Sequence, residues 1–404
     1  MASMNETFSD DIIISILSRL PLKEVRRVRI VCKRWHALTS EHHFHCTSFS
    51  GSSSITGFFL SDKLHRKFRY VPLRQSTGDS HHVIPDLSFI PSSPAVDRGQ
   101  IYVTSSCNGL LVCCRPIISI GRSKSNWFVC NPLTRKFVEI DVPDGVIRHL
   151  FLAYAPTKSR HYKIFAFDNY DINVYSSQTR SWRVAVHFDR SDYPFRGLRC
   201  YHSVFWNGSL VWVVRNHLVR FLVDEERVVE MPMPRTPEGW ICAYVGESGG
   251  HLQMIGFTEE ERLTGFLDVL EMQEGSSEWS VLYRVDLRRV IEVYPGIRRT
   301  RREFPYHGLR FSRGTGRKIE YLALGPMYVV QGAEESKVHG LMIFSIPGKI
   351  MCYNTENNEI SIVCGEAGAP ESDPYRFKIY GWNAKIIAFK KLNQYVFSDI
   401  VYVH

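Results

Sequence analysis

Four arginines in five residues, Arg298-Arg299-Thr300-Arg301-Arg302, place several guanidinium forks at spacings that suit carboxylates or phosphates. The run also fits a nuclear import signal or a solvated loop, and a solvated loop is the expectation here. A second cluster, Tyr193, Phe195, Arg196 and Arg199, lies in the turn-rich stretch 189–199. Aromatics with arginine are the types that anchor protein interfaces, although Tyr193 and Phe195 can equally fold back onto a core. These eight residues are the candidate substrate-binding positions. His42, His43, His45 and Cys46 have ligand chemistry but match no common zinc spacing, so no metal is expected. Gly314-Thr315-Gly316-Arg317-Lys318 lacks the spacing of a phosphate loop and reads as a turn. The chain has neither a Gly-x-Ser-x-Gly elbow nor a His-Glu-x-x-His pair. No catalytic residue and no cofactor are expected.

Charge sharpens this. Arg284–Lys318 holds eleven Lys/Arg and three Asp/Glu, a local +8; Glu247–Glu278 holds eight acids and one Arg, a local −7. The net +9 is thus polarised along the chain, where a general nucleic-acid binder would spread basic residues over a face or groove. No apolar run approaches a membrane span, and the N-terminus lacks the pattern of a secretory signal. The ten cysteines form no C-x-x-C and read as reduced, mostly buried thiols of a cytoplasmic or nuclear protein. In the vicinal pair Cys113-Cys114, a strand would point one thiol into the core.

Two kinds of element must position these groups. Residues 8–44 are the convincing helical part. Ser9 can cap a helix whose first turn holds Asp10 and Asp11. Ile12, Ile13, Ile16, Leu17 and Leu20 then follow helical spacing along one apolar face. Pro21 stops that helix and can begin a second with Val25, Val28 and Val31, and Cys32, Trp35 and Leu38 supply a third. Three helices in under about 40 residues bury too little surface to stand comfortably alone, so the unit should dock on something.

Beyond the Ser/Gly-rich stretch 48–54 the pattern becomes short β-prone runs separated by Gly, Pro, Asn and Asp. A strand–turn–strand motif recurs as FVCNPLTRKFVEI, INVYSSQTRSWRVAV, VRFLVDEERVVEM, DVLEMQEGSSEWSVL and IMCYNTENNEISIV. Gly-containing turns precede several copies, at Asn108-Gly109, Asn207-Gly208 and Gly249-Gly250. A β unit repeating every ~45–50 residues marks a propeller blade, and roughly 350 residues at that period allow about seven. The last strands, near Lys385–Val403, are expected to pair with the first, near Ile55–Leu60.

Ser18-Arg19-Leu20-Pro21-Leu22-Lys23, with Arg27, Arg29, Val31-Cys32-Lys33 and Trp35, resembles the F-box of plant F-box proteins. Ser106-Cys107-Asn108-Gly109-Leu110-Leu111 and Cys130-Asn131-Pro132-Leu133-Thr134-Arg135 resemble the plant F-box-associated interaction domain, of kelch-like propeller type. The resemblance implies a small all-α F-box at 1–47 and a large all-β substrate-recognition domain at 48–404. It implies a non-catalytic substrate receptor of an SCF-type ubiquitin ligase, docked on a Skp-type adaptor and through it on a cullin and a RING protein. Ile13, Ile16, Leu17, Leu20, Pro21, Val31 and Trp35 would meet the adaptor or support the docking surface. The chain departs from the family pattern at Phe8-Ser9, where Leu-Pro is usual, and at Arg26, usually apolar. Two other readings remain: a glycan-binding receptor using Trp206, Trp212 or Trp240 as stacking platforms, and an F-box protein acting outside a ligase. The target protein is not legible.

Overall fold

The computed structural model describes residues 9–17, 27–28, 30–38, 55–62, 67–72, 87–91, 101–119, 122–132, 134–142, 150–156, 158–168, 170–189, 203–214, 217–273, 275–303, 317–330, 340–365 and 387–390. The chain divides into two compact units, Met1–Thr56 with Ser76–Phe188 and Phe389–His404, and Gly57–Gln75 with Asp189–Ala388.

The first unit opens with α1 (Asp10–Leu17) and α2 (Lys33–Leu38). The Ser9 hydroxyl accepts from Ile12 N at 3.4 Å, the cap expected from its position, and Asp10 and Asp11 fill the first turn. Between the helices, 27–28 are helical and Ile30-Val31 form a turn in place of the continuous helical stripe expected through Val31. Cys32 begins α2: its sulfur accepts from Trp35 N at 3.4 Å and its carbonyl from His36 N at 3.0 Å.

The β elements begin with β1 (Ile55–Asp62) and β2 (Lys67–Pro72). Two four-stranded sheets of the first unit follow. One comprises β3 (Tyr102–Cys107), β4 (Leu110–Ser119), β5 (Arg122–Asn131) and β6 (Lys136–Ile140); the other β7 (Leu150–Ala153), β8 (Lys163–Asp168), β9 (Asp171–Ser176) and β10 (Ser181–His187). The second unit holds three more. They are β11 (Val204–Trp206) to β14 (Arg227–Met231) with β12 (Ser209–Val214) and β13 (His217–Leu222) between; β15 (Ile241–Ser248), β16 (His251–Phe257), β17 (Phe266–Met272) and β18 (Ser280–Asp286); and, after the two-stranded sheet of β19 (Arg298–Glu303) and β20 (Arg317–Leu322), β21 (Gly325–Val330), β22 (Leu341–Ile346), β23 (Lys349–Asn354) and β24 (Ile360–Gly365). A three-stranded sheet of order β2-β1-β25 includes β25 (Ile387–Lys390). The last described strand therefore pairs with the first, as expected.

Each four-stranded sheet is an antiparallel meander of neighbours in sequence, a propeller blade. Among the described residues the number is five, not the expected about seven. The excess came from spreading one period over the whole β region. The repeat itself counts correctly: its five copies are the five blades, and each carries a residue with positive φ in its outer turn, at Arg135, Arg180, Glu226, Gly275 and Asn358. These positions stand 45, 46, 49 and 83 residues apart, and the long last step contains the two-stranded sheet.

The inner turns repeat too. Asn108-Gly109, Asn207-Gly208 and Gly249-Gly250 all have both central residues at positive φ, the two-residue turn whose twist matches a right-twisted hairpin. Period-two alternation then sends neighbouring side chains to opposite faces. In the sheet spanning 241–286, Met254, Leu270 and Met272 pack with Trp206, Val211 and Leu218 of β11–β13. Ile255, Val269 and Val285 pack instead with Met342, Phe344 and Met351 of β22–β23. One blade thus fills two cores. Cys113 and Cys114 are both buried, where only one was expected in the core.

Two short helices fall outside the helical region expected from the sequence. α3 (Glu259–Thr264) has a capping box, with the Thr258 hydroxyl accepting from Glu261 N at 3.2 Å and the Glu261 carboxylate accepting from Thr258 N at 2.9 Å. Gly265, at φ 89°, ends it. α4 (Arg288–Val293) is rich in β-branched residues, which hides it from propensity; it forms because Val290 and Ile291 are buried in the core between two blades.

Candidate functional site

On α1 the apolar residues form two stripes, not the single face expected. Ile13, Ile14 and Leu17 are buried and pack with Leu38 of α2, Val28 and Trp35. Ile12 and Ile16, one helical turn apart, are 46% and 55% exposed. In the following turn Ile30 and Val31 are 86% and 63% exposed. A helix apolar on more than one side asks for a second contact, and four of the nine large apolar side chains exposed among the described residues lie in this short module. Arg34 ties α2 to α1, its Nε and Nη2 donating to Asp10 Oδ1 at 2.8 and 2.6 Å. Both partners are well exposed, so the pair orients the helices more than it stabilises them.

The expected docking residues thus divide. Ile13 and Leu17 are core, Trp35 packs against that core half-buried, and Ile16 and Val31 are exposed. Leu20, Pro21, Arg26 and Phe8 lie outside the described residues. Ile12 and Ile30 were missing from the expected set. The signal for Ile12 was available: four isoleucines within DDIIISIL exceed what one face of an eight-residue helix can hold.

The second candidate is the arginine run. It is not a loop but β19, paired in register with β20: Arg298 with Leu322, Arg299 with Tyr321, Thr300 with Glu320, Arg301 with Ile319, Arg302 with Lys318 and Glu303 with Arg317. A strand without an apolar residue defeats alternation arguments; pairing with RKIEYL creates it. Arg298 is exposed and Arg299 half-buried, its Nε donating to the Gly296 carbonyl at 3.4 Å. The acidic helix α3 packs against β20, so the two oppositely charged segments of the sequence meet in one unit. Arg317 and Lys318, expected in a turn, begin β20. Tyr193, Phe195, Arg196 and Arg199, and the cluster His42, His43, His45 and Cys46, lie outside the described residues.

A charged cluster that the sequence did not suggest surrounds α3. Arg284 donates to Glu261 Oε1 at 2.5 Å and to Asp268 Oδ1 at 3.4 Å, while Arg288 binds Asp286. The ring of Phe266 lies 5.3 and 5.1 Å from the two guanidinium carbons. The hydrogen bond from Thr258 N, with Arg284 assisting, holds the Glu261 carboxyl below the usual carboxylate range despite its burial.

The other candidate chemistries lose their geometry. Trp206 is buried and donates Nε1 to the Gly250 carbonyl at 2.7 Å, and Trp212 is fully buried, so neither offers a face for a sugar. Trp240 is half-buried against Gly256. Burial pushes the Cys242 thiol up to about 12 and the Cys352 thiol up to about 11, and raises Cys113 as well, which keeps them protonated packing groups. Among the described residues no three His, Cys, Asp or Glu side chains are placed to share a metal, and no helix is long and apolar enough to cross a membrane.

Comparison with known proteins matches residues 7–47 to the F-box domain and residues 66–260 to the F-box associated beta propeller domain. An F-box protein of Arabidopsis thaliana is 28% identical over 398 residues, covering 91% of this chain and 89% of that protein. A second from the same plant is 26% identical over 317 residues, covering 72% and 82%. A putative F-box/kelch-repeat protein of Arabidopsis thaliana is 21% identical over 310 residues, covering 70% and 80%.

Proposed function

From the premise that the chain belongs to the F-box proteins with an F-box associated β-propeller domain, we infer that it is the substrate-recognition subunit of an SCF-type ubiquitin ligase. In this reading residues 1–47 dock on a Skp-type adaptor, which bridges to a cullin and a RING protein, and residues 48–404 hold the target. The chain contributes no catalytic group. It raises the effective concentration of the target's lysines near the charged conjugating enzyme, which converts a slow encounter into a near-intramolecular one.

The observation that carries the reading is the pair of exposed apolar sites, Ile12 with Ile16 and Ile30 with Val31, on a helical module that otherwise has its own core. Burying such a side chain contributes roughly 1.5–3 kcal/mol before ordering costs are subtracted. Leu20 and Pro21 complete the proposed contact; Ile13, Leu17 and Trp35 hold it in shape.

Co-purification with a Skp-type adaptor and a cullin tests this, comparing wild type with Leu20→Ala/Pro21→Ala. Wild type should retain both partners and the double variant should lose them. A wild-type chain that retains neither overturns the ligase reading. Adaptor without cullin would instead favour an F-box protein acting outside a ligase.

A further inference from the structure

We propose that Asn207 is a site of spontaneous modification, deamidated through a cyclic imide that closes onto Gly208 and opens to aspartate and isoaspartate. The proposal is independent of the receptor reading, because it concerns the chemistry of one turn.

Asn-Gly occurs twice in the chain, at Asn108-Gly109 and Asn207-Gly208. Glycine suits ring closure because it has no Cβ to shield its nitrogen and its backbone turns freely. Both pairs form inner two-residue turns with nearly the same backbone. The φ angles are 44° and 88° in the first and 43° and 67° in the second. The surroundings differ. Asn108 is half-buried and Gly109 is buried. Asn108 Nδ2, the nitrogen that would leave, donates to the Tyr154 carbonyl at 2.7 Å. Moving Cγ onto the Gly109 nitrogen would pull Nδ2 off that acceptor. Asn207 is exposed, and among the described residues its side-chain amide has no hydrogen-bond partner. The third inner turn, Gly249-Gly250, has no amide side chain and cannot react this way. One scaffold thus presents the same turn in a free, a tethered and an inert form.

In the first step the Gly208 nitrogen loses its proton and bonds to Asn207 Cγ. The Cγ–Nδ2 bond breaks, and Nδ2 leaves as ammonia with that proton. Water then opens the ring. Attack at Cγ gives aspartate on an unaltered main chain; attack at the main-chain carbonyl carbon gives isoaspartate, whose chain runs through Cγ. One water is consumed, one ammonia is released, and nothing is oxidised or reduced. Either product adds a carboxylate to the tip, and isoaspartate also lengthens a two-residue turn by one carbon. That turn joins Trp206 to Ser209, which face each other across the ladder. Trp206 Nε1 in turn donates to the Gly250 carbonyl of the next blade at 2.7 Å. The modification therefore bears on a blade-to-blade contact.

The test is to age the full chain in mildly alkaline buffer and follow both sites by peptide mapping that separates asparagine, aspartate and isoaspartate. An isoaspartyl carboxyl methyltransferase with a labelled methyl donor gives a second readout. Isoaspartate and aspartate should accumulate at position 207 at least about threefold to tenfold faster than at 108, the factor that one hydrogen bond imposes on a step that must break it. In denaturant the two sites should react at similar rates, because the fold alone distinguishes them. Asn207→Gly, which installs the turn already used at 249–250, should lose most of the methyl label. The map of the wild-type chain decides the question by itself if that variant does not fold. Conversion at 108 as fast as at 207, conversion at 207 only in denaturant, aspartate without isoaspartate, or unchanged labelling of a folded Asn207→Gly chain would each overturn the proposal.

Discussion

The indole Nε1 of Trp182, near the start of β10, donates to the carbonyl oxygen of Asp141, the residue just after β6, at 2.7 Å. The second unit repeats the arrangement: Trp279, just before β18, donates to the carbonyl of Pro232, just after β14, at 2.8 Å. In both, the outermost strand of one blade is latched to the end of the outermost strand of the blade before it. The donors stand 41 and 47 residues beyond their acceptors, close to one period of the repeat.

Each latch should contribute about 1 kcal/mol, the net worth of one neutral hydrogen bond at a partly solvated site. Trp182→Phe keeps an aromatic ring against Tyr175, whose centroid lies 5.4 Å away, and removes only the donor. Chemical denaturation of Trp182→Phe and Trp279→Phe should show losses of that size. A loss of several kcal/mol would mean that the ring, not the donor, carries the contact.

The two stripes of α1 should separate by assay. Ile12→Glu/Ile16→Glu alters exposed positions and should leave the melting temperature near that of wild type while abolishing adaptor capture. Ile13→Glu places a charge in the module's core and should unfold the module itself, read as lost helical signal. If Ile12→Glu/Ile16→Glu captures adaptor normally, this stripe is not the docking face.

Gly256→Ala should be among the most costly single-methyl changes in the chain. A Cβ there would lie 2.1 Å from Trp240 Cζ2 and 2.5 Å from the Ile241 carbonyl oxygen. The backbone oxygen cannot step aside, so about 1–3 kcal/mol of overpacking is expected, measurable by thermal melting. Gly250→Ala meets no atom within 4 Å but sits at φ 87°, so its smaller cost should come from backbone strain alone.

The cap of α3 should be acid-sensitive. The Glu261 carboxyl is lowered in the folded chain, first by the Thr258 N–H and then by Arg284. A lowered carboxylate stabilises the fold above its ordinary range, and that contribution is lost as pH falls through the lowered value. Glu261→Gln keeps a cap acceptor but not the charge. It should therefore melt below wild type at neutral pH, by about 0.5–1 kcal/mol, with the two curves converging in acid. A gap that persists in acid would show that shape, not charge, holds the cap.

How far the sequence could be read depends on whether a signal is local. The turn residues are local, so Asn108-Gly109, Asn207-Gly208 and the five outer turns marked the blades and their number. Dividing length by period was not local, and it failed where 83 residues separate Gly275 from Asn358. β19 and β7 (LFLA) were missed because one has no alternation and the other is too short to show any. α4 was missed because its stability comes from Val290 and Ile291 in a core that only the tertiary fold assembles. On α1, helical spacing located the apolar residues but did not say which stripe the module would keep for itself.

The pairing of β1 with β25 sets a clock on synthesis. The first strand leaves the ribosome more than 300 residues before its partner, which at usual elongation rates is roughly 15–65 seconds. During that interval one edge of β1 has no strand beside it while the blades between can close locally, each within about 50 residues. A nascent chain of this protein therefore carries an unpaired β edge for most of its time on the ribosome, and any truncation before residue 387 makes that state permanent.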